Sequence, residues 1–399
     1  MSEWTPYQTD HLFLLIGTNP LPNYVAALLL AKDNGTIHLL HSGGTHSTAG
    51  IAANLEQAIR NRRPQVEIIP REINEADSGR IAQKMREILN NIGGQGSVGV
   101  HYTGGTKAMA VYVYKEVEKK FPSAVFSYLD ARTLSLMIEG RDGAPTKSIS
   151  VGQACEVKMH ELVALHGRPL KSCEKETCLE QTYSSLVDIH ATNPKVWRKW
   201  CDENLRRPNQ RDKFKSKTDL KAVELPSADS VLVPLVTSLG HPRTLEDVQL
   251  PTGWKIDKLA EFLDGKWLEQ YALNSLKQAA TDCHVHDCGM NLATTSEGQS
   301  FEFDVAAMRG YQLFALSCTT SAEKGLCKHK LFEAYVRARQ MGGDEARVAL
   351  VCCYLDPAAL RQEVEETRFT EGRVRVFGRQ DLPNLPSCLQ AWFETANAA

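Results

Sequence analysis

The first part of the chain alternates between short apolar segments and longer segments with helical spacing of apolar residues. This alternation constrains the fold more than any other feature. Strands that alternate with helices of this length form a parallel sheet covered by helices on both faces. The sequence therefore predicts a doubly wound, Rossmann-like α/β domain over residues 1–150. The predicted strands are 11–16, 36–41, 66–69, 98–102 and 124–129.

Small polar loops follow three of these predicted strands. Their glycines let the backbone approach a ligand closely, and their side chains can donate hydrogen bonds. The loops should meet at one edge of the sheet, beside helix N-termini whose free amides favour anions. We therefore expect them to hold a phosphate-bearing nucleotide ligand. The candidate residues are Thr18 and Asn19; Ser42, Gly43, Gly44 and Thr45; and Thr103, Gly104, Gly105, Thr106 and Lys107.

Composition narrows the class of protein. A chain of 399 residues is too long for one ordinary core, so more than one domain is expected. The net charge of -2 gives no overall attraction to nucleic acid, and any such attraction must come from a local patch. No apolar run approaches the roughly 20 residues of a membrane helix, and the first residues lack a signal-peptide pattern. We expect a cytoplasmic protein, without contact to a membrane, whose eleven cysteines are reduced.

The middle of the chain, residues 151–253, is predicted to be a helical connecting segment with a basic patch. Nine basic and three acidic residues lie between Lys195 and Lys217. Such a run is typical of a solvated surface, but it also suits contact with a phosphate backbone. Trp197, Trp200 and Phe214 interleave with the charges. Both interpretations stay open at this point.

Residues 254–399 are predicted to form a second α/β unit, in which helices pack on a mixed sheet. One helix is expected at 256–278, split near Gly265, and another at 327–341, ended by glycines. The run 283–288 (Cys-His-Val-His-Asp-Cys) suggests zinc, but a second ligand pair is not evident, and we assign its start to a strand. The predicted strands are 282–286, 301–308, 311–318 and 347–354.

Three acidic residues of this unit are candidate metal ligands. Glu302 and Asp304 are two apart in a predicted strand, so both carboxylates lie on one face. Glu269 belongs to the predicted helix that precedes this strand. Carboxylates that converge from a helix and a strand are what a divalent cation needs for phosphodiester hydrolysis, although each alone is also typical of a surface residue.

Together these motifs resemble the CARF-domain effector nucleases of type III CRISPR defence. The N-terminal unit, with Thr-Gly-Gly-Thr-Lys at 103–107, is similar to a CARF domain, a sensor of cyclic oligoadenylate. The C-terminal unit resembles their restriction-endonuclease-like (PD-D/ExK) domain. The family's helix signature corresponds to Gly-Lys-Trp-Leu-Glu at 265–269. Its strand motif corresponds to Glu-Phe-Asp-Val at 302–305. The glycine pair that ends a later helix in the family corresponds to Gly-Gly at 342–343.

The resemblance implies a function for each unit. Cyclic tetra-adenylate would bind across two CARF domains of a homodimer, because a symmetric ring suits a two-fold interface. Binding would activate cleavage of DNA, RNA or both. Glu269, Glu302 and Asp304 would form the catalytic site, with Glu269 and Asp304 holding Mg²⁺ or Mn²⁺.

One strand departs from the family pattern. The family ends it with Glu-Cys-Lys-Thr, whereas residues 317–320 read Ser-Cys-Thr-Thr, so the usual acidic ligand and the usual lysine are both missing. Lys328 or Lys330, on the next predicted helix, is expected to replace it. Two alternatives stay open: a non-catalytic sensor or regulator with a degenerate nuclease domain, and a ring nuclease whose CARF pocket cleaves the cyclic ligand.

Overall fold

The predicted Rossmann-like domain is confirmed by a computed structural model, which describes residues 3–140, 144–208, 210–226, 231–295, 301–368 and 372–397. Helices and strands alternate as expected up to a final antiparallel pair. The elements are β1 (Thr9–Leu15), α1 (Leu21–Leu30), β2 (Ala31–Ser42), α2 (Ala49–Arg62), β3 (Glu67–Ile73), α3 (Ser78–Ile92), β4 (Val98–His101), α4 (Lys107–Lys120), β5 (Val125–Asp130), β6 (Ser135–Ile138) and β7 (Lys147–Ser150).

The N-terminal sheet has the order β3-β2-β1-β4-β5-β6-β7, and its first five strands are parallel. Residues 12–15 of β1 are an unbroken apolar run because both faces of the strand are covered there. Leu12 and Leu14 pack in the core that contains α1 and α2. Phe13 and Leu15 pack in the core that contains α3 and α4. The strand order reverses between β1 and β4, which creates a crevice at their carboxyl ends.

The middle segment is built into the second domain rather than lying beside it. Strand β8, which the sequence pattern did not reveal, joins the C-terminal sheet. Helices α6 and α7 share one core with that domain. The elements of the segment are α5 (Met159–Leu165), β8 (Leu170–Glu174), α6 (Glu180–Thr192), α7 (Pro194–Asn204), β9 (Arg206–Arg207), β10 (Gln210–Phe214), α8 (Lys217–Lys221) and α9 (Val233–Ser238).

The C-terminal domain is a mixed sheet of order β15-β14-β13-β12-β11-β8 with packed helices, as predicted. The split helix is confirmed, since a π-turn (Phe262–Lys266) separates α10 from α11. The elements are α10 (Ile256–Glu261), α11 (Trp267–Ala280), β11 (Asp287–Thr294), β12 (Phe301–Arg309), β13 (Gln312–Thr319), α12 (Lys324–Gly342), β14 (Arg347–Cys352), α13 (Pro357–Arg368), β15 (Val374–Phe377) and α14 (Leu385–Thr395).

The strand predicted at 282–286 is wrong. Residues 281–284 form a turn, and β11 begins only at Asp287. His284 has a φ of 55°, in the left-handed region that a strand does not use. The alternation of polar and apolar residues arises instead because Cys283 is buried in the core while its neighbours are not. Among the described helices, none is long and apolar enough to cross a bilayer.

The two domains meet where α12 ends. A short 3-10 turn (Gly343–Glu345) follows α12, and Gly343 packs so closely on the Asn19 side chain that a Cβ atom would overlap it. Glu345 is buried, with only 2% of its surface exposed. Burial raises the pKa of this carboxyl from 4.5 to about 7, although the Arg347 charge opposes the shift. Because the folded protein holds this proton more tightly than the unfolded chain does, ionisation of Glu345 at higher pH lowers the free energy of unfolding.

We therefore expect Glu345→Gln to stabilise the protein at alkaline pH. The unfolded chain releases this proton at lower pH than the folded chain, so the parent loses stability as the pH rises from about 4.5 to 7. The variant should exceed the parent by up to about 3 kcal/mol near pH 8, at about 1.4 kcal/mol per unit of pKa. The difference should shrink toward about pH 5. Urea unfolding at both pH values measures it, and a gain that does not depend on pH contradicts the assignment.

Candidate functional site

The loops after β1 and β4 touch each other across the crevice of the N-terminal sheet. A Cβ atom on Gly17 would lie 3.0 Å from the backbone nitrogen of Gly105. On Gly104 it would overlap the carbonyl oxygen of Leu15 and lie 3.0 Å from the backbone nitrogen of Gly17. Gly105 has a φ of 73°, which favours glycine. Two backbones can approach this closely only because these positions lack side chains.

Several of the predicted hydroxyl ligands serve their own loops. The Ser42 hydroxyl donates to the carbonyl of His46 at 3.0 Å and accepts from the Thr48 amide at 3.1 Å. Thr103 Oγ1 accepts from the backbone amide of Leu129 at 2.7 Å. Thr106 caps α4, because its Oγ1 accepts from the Met109 amide at 3.1 Å. These bonds hold the loops in shape. The predicted residues exposed at the edge are Thr18, Gly44, Thr45, Thr103, Thr106 and Lys107.

A cavity of 490 Å³ opens beside the glycines of the second loop, at the ends of β2 and β3. Arg80 and Lys84 of α3 line it together with Gly43 and Gly44. Sequence reasoning missed both cations, since they are one helical turn apart in an ordinary amphipathic helix. The same cavity is also lined by three carboxylates, so it has no excess of positive charge; they are Glu72, Glu75 and Glu87.

The side chain of Asn19 contacts both the start of α1 and the C-terminal domain. Its Oδ1 accepts from the Leu21 amide at 3.1 Å, which orders the start of α1. Its Nδ2 lies against Gly343 of the C-terminal domain. The loop that was predicted to bind ligand is therefore in direct contact with the end of α12.

In the C-terminal domain, Asp304 of β12 lies against the end of β13. Its Oδ2 accepts from the Ser317 hydroxyl at 3.0 Å and from the Cys318 amide at 2.7 Å. Antiparallel pairing of the two strands sets this arrangement, since Val305 is opposite Leu316. Charge-assisted bonds of this kind hold a carboxylate in one orientation.

Glu269 of α11 carries the carboxyl with the most unusual environment of the predicted set. Burial raises its pKa from 4.5 to about 8, and the charge of Asp304 contributes in the same direction. Its Oε2 is buried and has no hydrogen-bond partner among the described residues. The carboxyl groups of Glu269 and Asp304 are therefore close enough for their charges to interact unfavourably. Burial also removes the Glu269 carboxyl from water.

The pair fits a hard divalent cation. A cation between the two carboxylates would relieve their repulsion and would supply the partner that Glu269 Oε2 lacks. Glu302 is exposed and lines a cavity of 220 Å³ together with Glu269. In the described ranges, however, no three His, Cys, Asp or Glu side chains are grouped as a metal site. Water or substrate oxygens would have to complete the coordination shell.

The structure separates the two candidate lysines of α12. Lys328 Nζ lies 2.5 Å from Glu363 Oε1 of α13, and Lys324 Nζ lies 2.6 Å from the other oxygen of the same carboxylate. Lys328 is thus not brought to the carboxylate pair. Lys330 lines a cavity of 430 Å³ together with Glu269 and Thr319, the residue at the position of the family's lysine.

The basic patch of the middle segment forms one wall of this cavity. Arg198 and Arg206 line it, and both pair with Asp264 of the π-turn. Trp197 is buried, stacks on Trp200 and donates its Nε1–H to the carbonyl of Leu263 at 2.8 Å. The interleaved tryptophans therefore belong to the core, while the two arginines face the cavity.

One family of known proteins matches the C-terminal part of the chain. A family model described as "Card1-like, endonuclease domain" matches residues 257–396. A comparison with curated protein sequences gives no match.

Three solved structures are similar to the whole fold or to much of it. Protein VC1899 from Vibrio cholerae has a TM-score of 0.69 and 16% identity, covering 97% of this chain and 99% of its own. Can2 from Sulfobacillus thermosulfidooxidans, in complex with cyclic tetra-adenylate, has a TM-score of 0.67 and 16% identity, covering 98% of each chain. A type III CRISPR defence DNA nuclease activated by cyclic oligoadenylate has a TM-score of 0.50 and 17% identity, covering 86% of this chain and 45% of that one.

The fold and the family match point to the same architecture. The carboxylates Glu269, Glu302 and Asp304 all lie within the matched residues. The glycine loops lie in the preceding Rossmann-like domain. Residues 257–396 thus match a Card1-like endonuclease domain and follow a Rossmann-like domain, which is the architecture that the resemblance to CARF-domain effector nucleases predicts.

Proposed function

We propose that this protein is a metal-dependent nuclease that cyclic tetra-adenylate activates. The observation that carries the proposal is the buried Glu269 carboxyl, which lines a cavity in the part of the chain that matches the endonuclease model and is within range of the Asp304 charge. A carboxyl with a raised pKa in a cleft, near a second carboxylate and several cations, is a candidate site for metal-assisted phosphodiester hydrolysis. DNA, RNA or both are the proposed substrates.

Glu269 and Asp304 would hold Mg²⁺ or Mn²⁺, which when bound activates water and stabilises charge on the phosphate. The remaining roles belong to the side chains of this chain. Ser317 and the Cys318 amide orient the Asp304 carboxylate. Arg198 and Arg206 line the cavity, both paired with Asp264, and would contact a nucleic-acid backbone that enters it.

The ligand would bind at the glycine loops of two protomers in a homodimer. A ring with two-fold symmetry matches an interface in which both protomers offer the same loops. Support for cyclic tetra-adenylate comes from the similarity of the fold to Can2, which was solved with that ligand. Backbone amides of Gly104 and Gly105, with Lys107 at the start of α4, suit its phosphates.

Helix α12 offers a physical connection between the two sites. Its end touches Asn19 in the loop after β1, and Lys330 near its start lines the nuclease cavity. A helix of 19 residues spans about 28 Å and moves as a unit. A ligand that shifts the β1 loop would therefore act on the nuclease cavity through α12, provided that it binds one arrangement more tightly.

The test is a cleavage assay on labelled single- and double-stranded DNA and RNA. We expect cleavage only when cyclic tetra-adenylate and Mn²⁺ are both present, with EDTA abolishing it. A linear tetra-adenylate serves as the matched ligand control. Light scattering with and without ligand measures whether the chain is a dimer.

One specific feature favours a second candidate function. Thr319 replaces the strand lysine of the family, so the domain would be a degenerate nuclease that only binds nucleic acid or a partner. This regulator would bind cyclic tetra-adenylate normally and cut none of the four substrates under any metal.

A further inference from the structure

The charge of the missing strand lysine has to come from elsewhere in the nuclease cavity. Lys324 and Lys328 both engage Glu363 and are directed toward α13. Lys266 and Lys330 line the cavity next to Thr319. Neither of these two takes part in an ion pair within the described part of the chain.

Lys266 is the last residue of the π-turn, and this turn lies against the end of β13. A Cβ atom on Gly265 would be 3.5 Å from Thr320 Oγ1, so the backbone of the turn passes next to the strand end that lacks its lysine. A π-turn inserts an extra residue into a helix and re-aims the side chains around it, often at functional sites. The irregularity thus places Lys266 beside Thr319 and Thr320.

Lys266 also stands between the two cavities that flank Glu269. Both Lys266 and Glu269 line the cavity of 430 Å³ that contains Thr319 and also the cavity of 220 Å³ that contains Glu302. Lys330 lines the first cavity. The spacing of three residues between Lys266 and Glu269 puts them on the same side of the helix.

We propose that Lys266 supplies the positive charge that a strand lysine supplies in related nucleases, by contacting the scissile phosphate beside Glu269 and Asp304. This inference rests on the proposed nuclease function. The exposed side chain reaches substrate without the protein having to open.

The position of Lys266 suits this role. Lys266 lines both of the cavities that Glu269 lines, so its ammonium group can reach a phosphate bound beside Glu269. There it stabilises the charge that develops on the phosphate in the transition state.

The first test compares lysine variants in the cleavage assay with Mn²⁺ and cyclic tetra-adenylate. Lys266→Ala should lower the rate constant by about 10²-fold, as expected when one donor to the developing charge is lost. Lys266→Arg should recover part of the rate. Lys277→Ala is the matched control, because Lys277 lies on α11, the helix that Lys266 immediately precedes, but pairs with Glu176. Lys330→Ala should cost less than Lys266→Ala.

The second test does not depend on cleavage. In an Asp304→Asn background, fluorescence anisotropy measures the affinity for labelled oligonucleotides at several salt concentrations. Adding Lys266→Ala should weaken binding and reduce the slope of log K against log salt by about 1.

The outcomes distinguish a failure of the Lys266 inference from a failure of the proposed nuclease function. If Asp304→Asn abolishes cleavage but Lys266→Ala cuts at the parent rate, the nuclease stands and the lysine inference is overturned. If the parent cuts no nucleic acid, the proposed function fails. In that case an unchanged affinity and salt slope overturn the role of Lys266 as well.

Discussion

Replacing Asp304 with asparagine should reduce nucleic-acid cleavage by about 10³-fold, because a hard anionic ligand is worth several kcal/mol of transition-state stabilisation. Asparagine has almost the same volume and keeps an oxygen that can accept from Ser317 and the Cys318 amide. The variant should therefore stay folded and bind cyclic tetra-adenylate like the parent. Calorimetry of ligand binding and the cleavage assay measure the two properties separately.

Ser317→Ala is the matched control for Asp304→Asn. It removes one hydrogen bond to the carboxylate but leaves the charge, so we expect a much smaller loss of rate. A variant Asp304→Asn that cuts as fast as the parent would show that this carboxylate takes no part in hydrolysis. The regulator would then be the better description of the protein.

Gly104→Ala should lower the affinity for cyclic tetra-adenylate by about 10²-fold, since a displacement of the order of 1 Å in a binding loop has an effect of this size. The added methyl group would overlap the carbonyl oxygen of Leu15, and neither backbone can move without disturbing the contact between the two loops. Titration calorimetry measures the affinity. Cleavage at saturating ligand should recover, because the nuclease cavity is untouched.

The matched control is Gly94→Ala, at an exposed glycine with no atom near the position of the added carbon. It should bind the ligand as the parent does. Unchanged affinity in Gly104→Ala would mean that the ligand does not use the crevice between β1 and β4. The cavity lined by Arg80 and Lys84 would then be the next site to test.

Local sequence patterns predicted those helices and strands that pack against elements close to them in the chain. The apolar run of β1 and the amphipathic helices around it follow from burial on both faces of a parallel sheet. The split near Gly265 was also predicted, because its signal lies within one or two helical turns. Strand β8 was not, since its partner β11 lies more than 100 residues away in the chain.

The same contrast holds for the candidate sites. Glu302 and Asp304 were found because a strand repeats every two residues, and Glu269 because of its helix signature. The sequence by itself determined the alternating fold and the glycine loops at one sheet edge, and it named the candidate carboxylates. Only the tertiary structure decided that Lys328 is engaged by Glu363, that Lys266 lies beside Thr319 and that Asn19 touches Gly343. Those contacts join distant segments, and periodicity carries information only between residues that share one element.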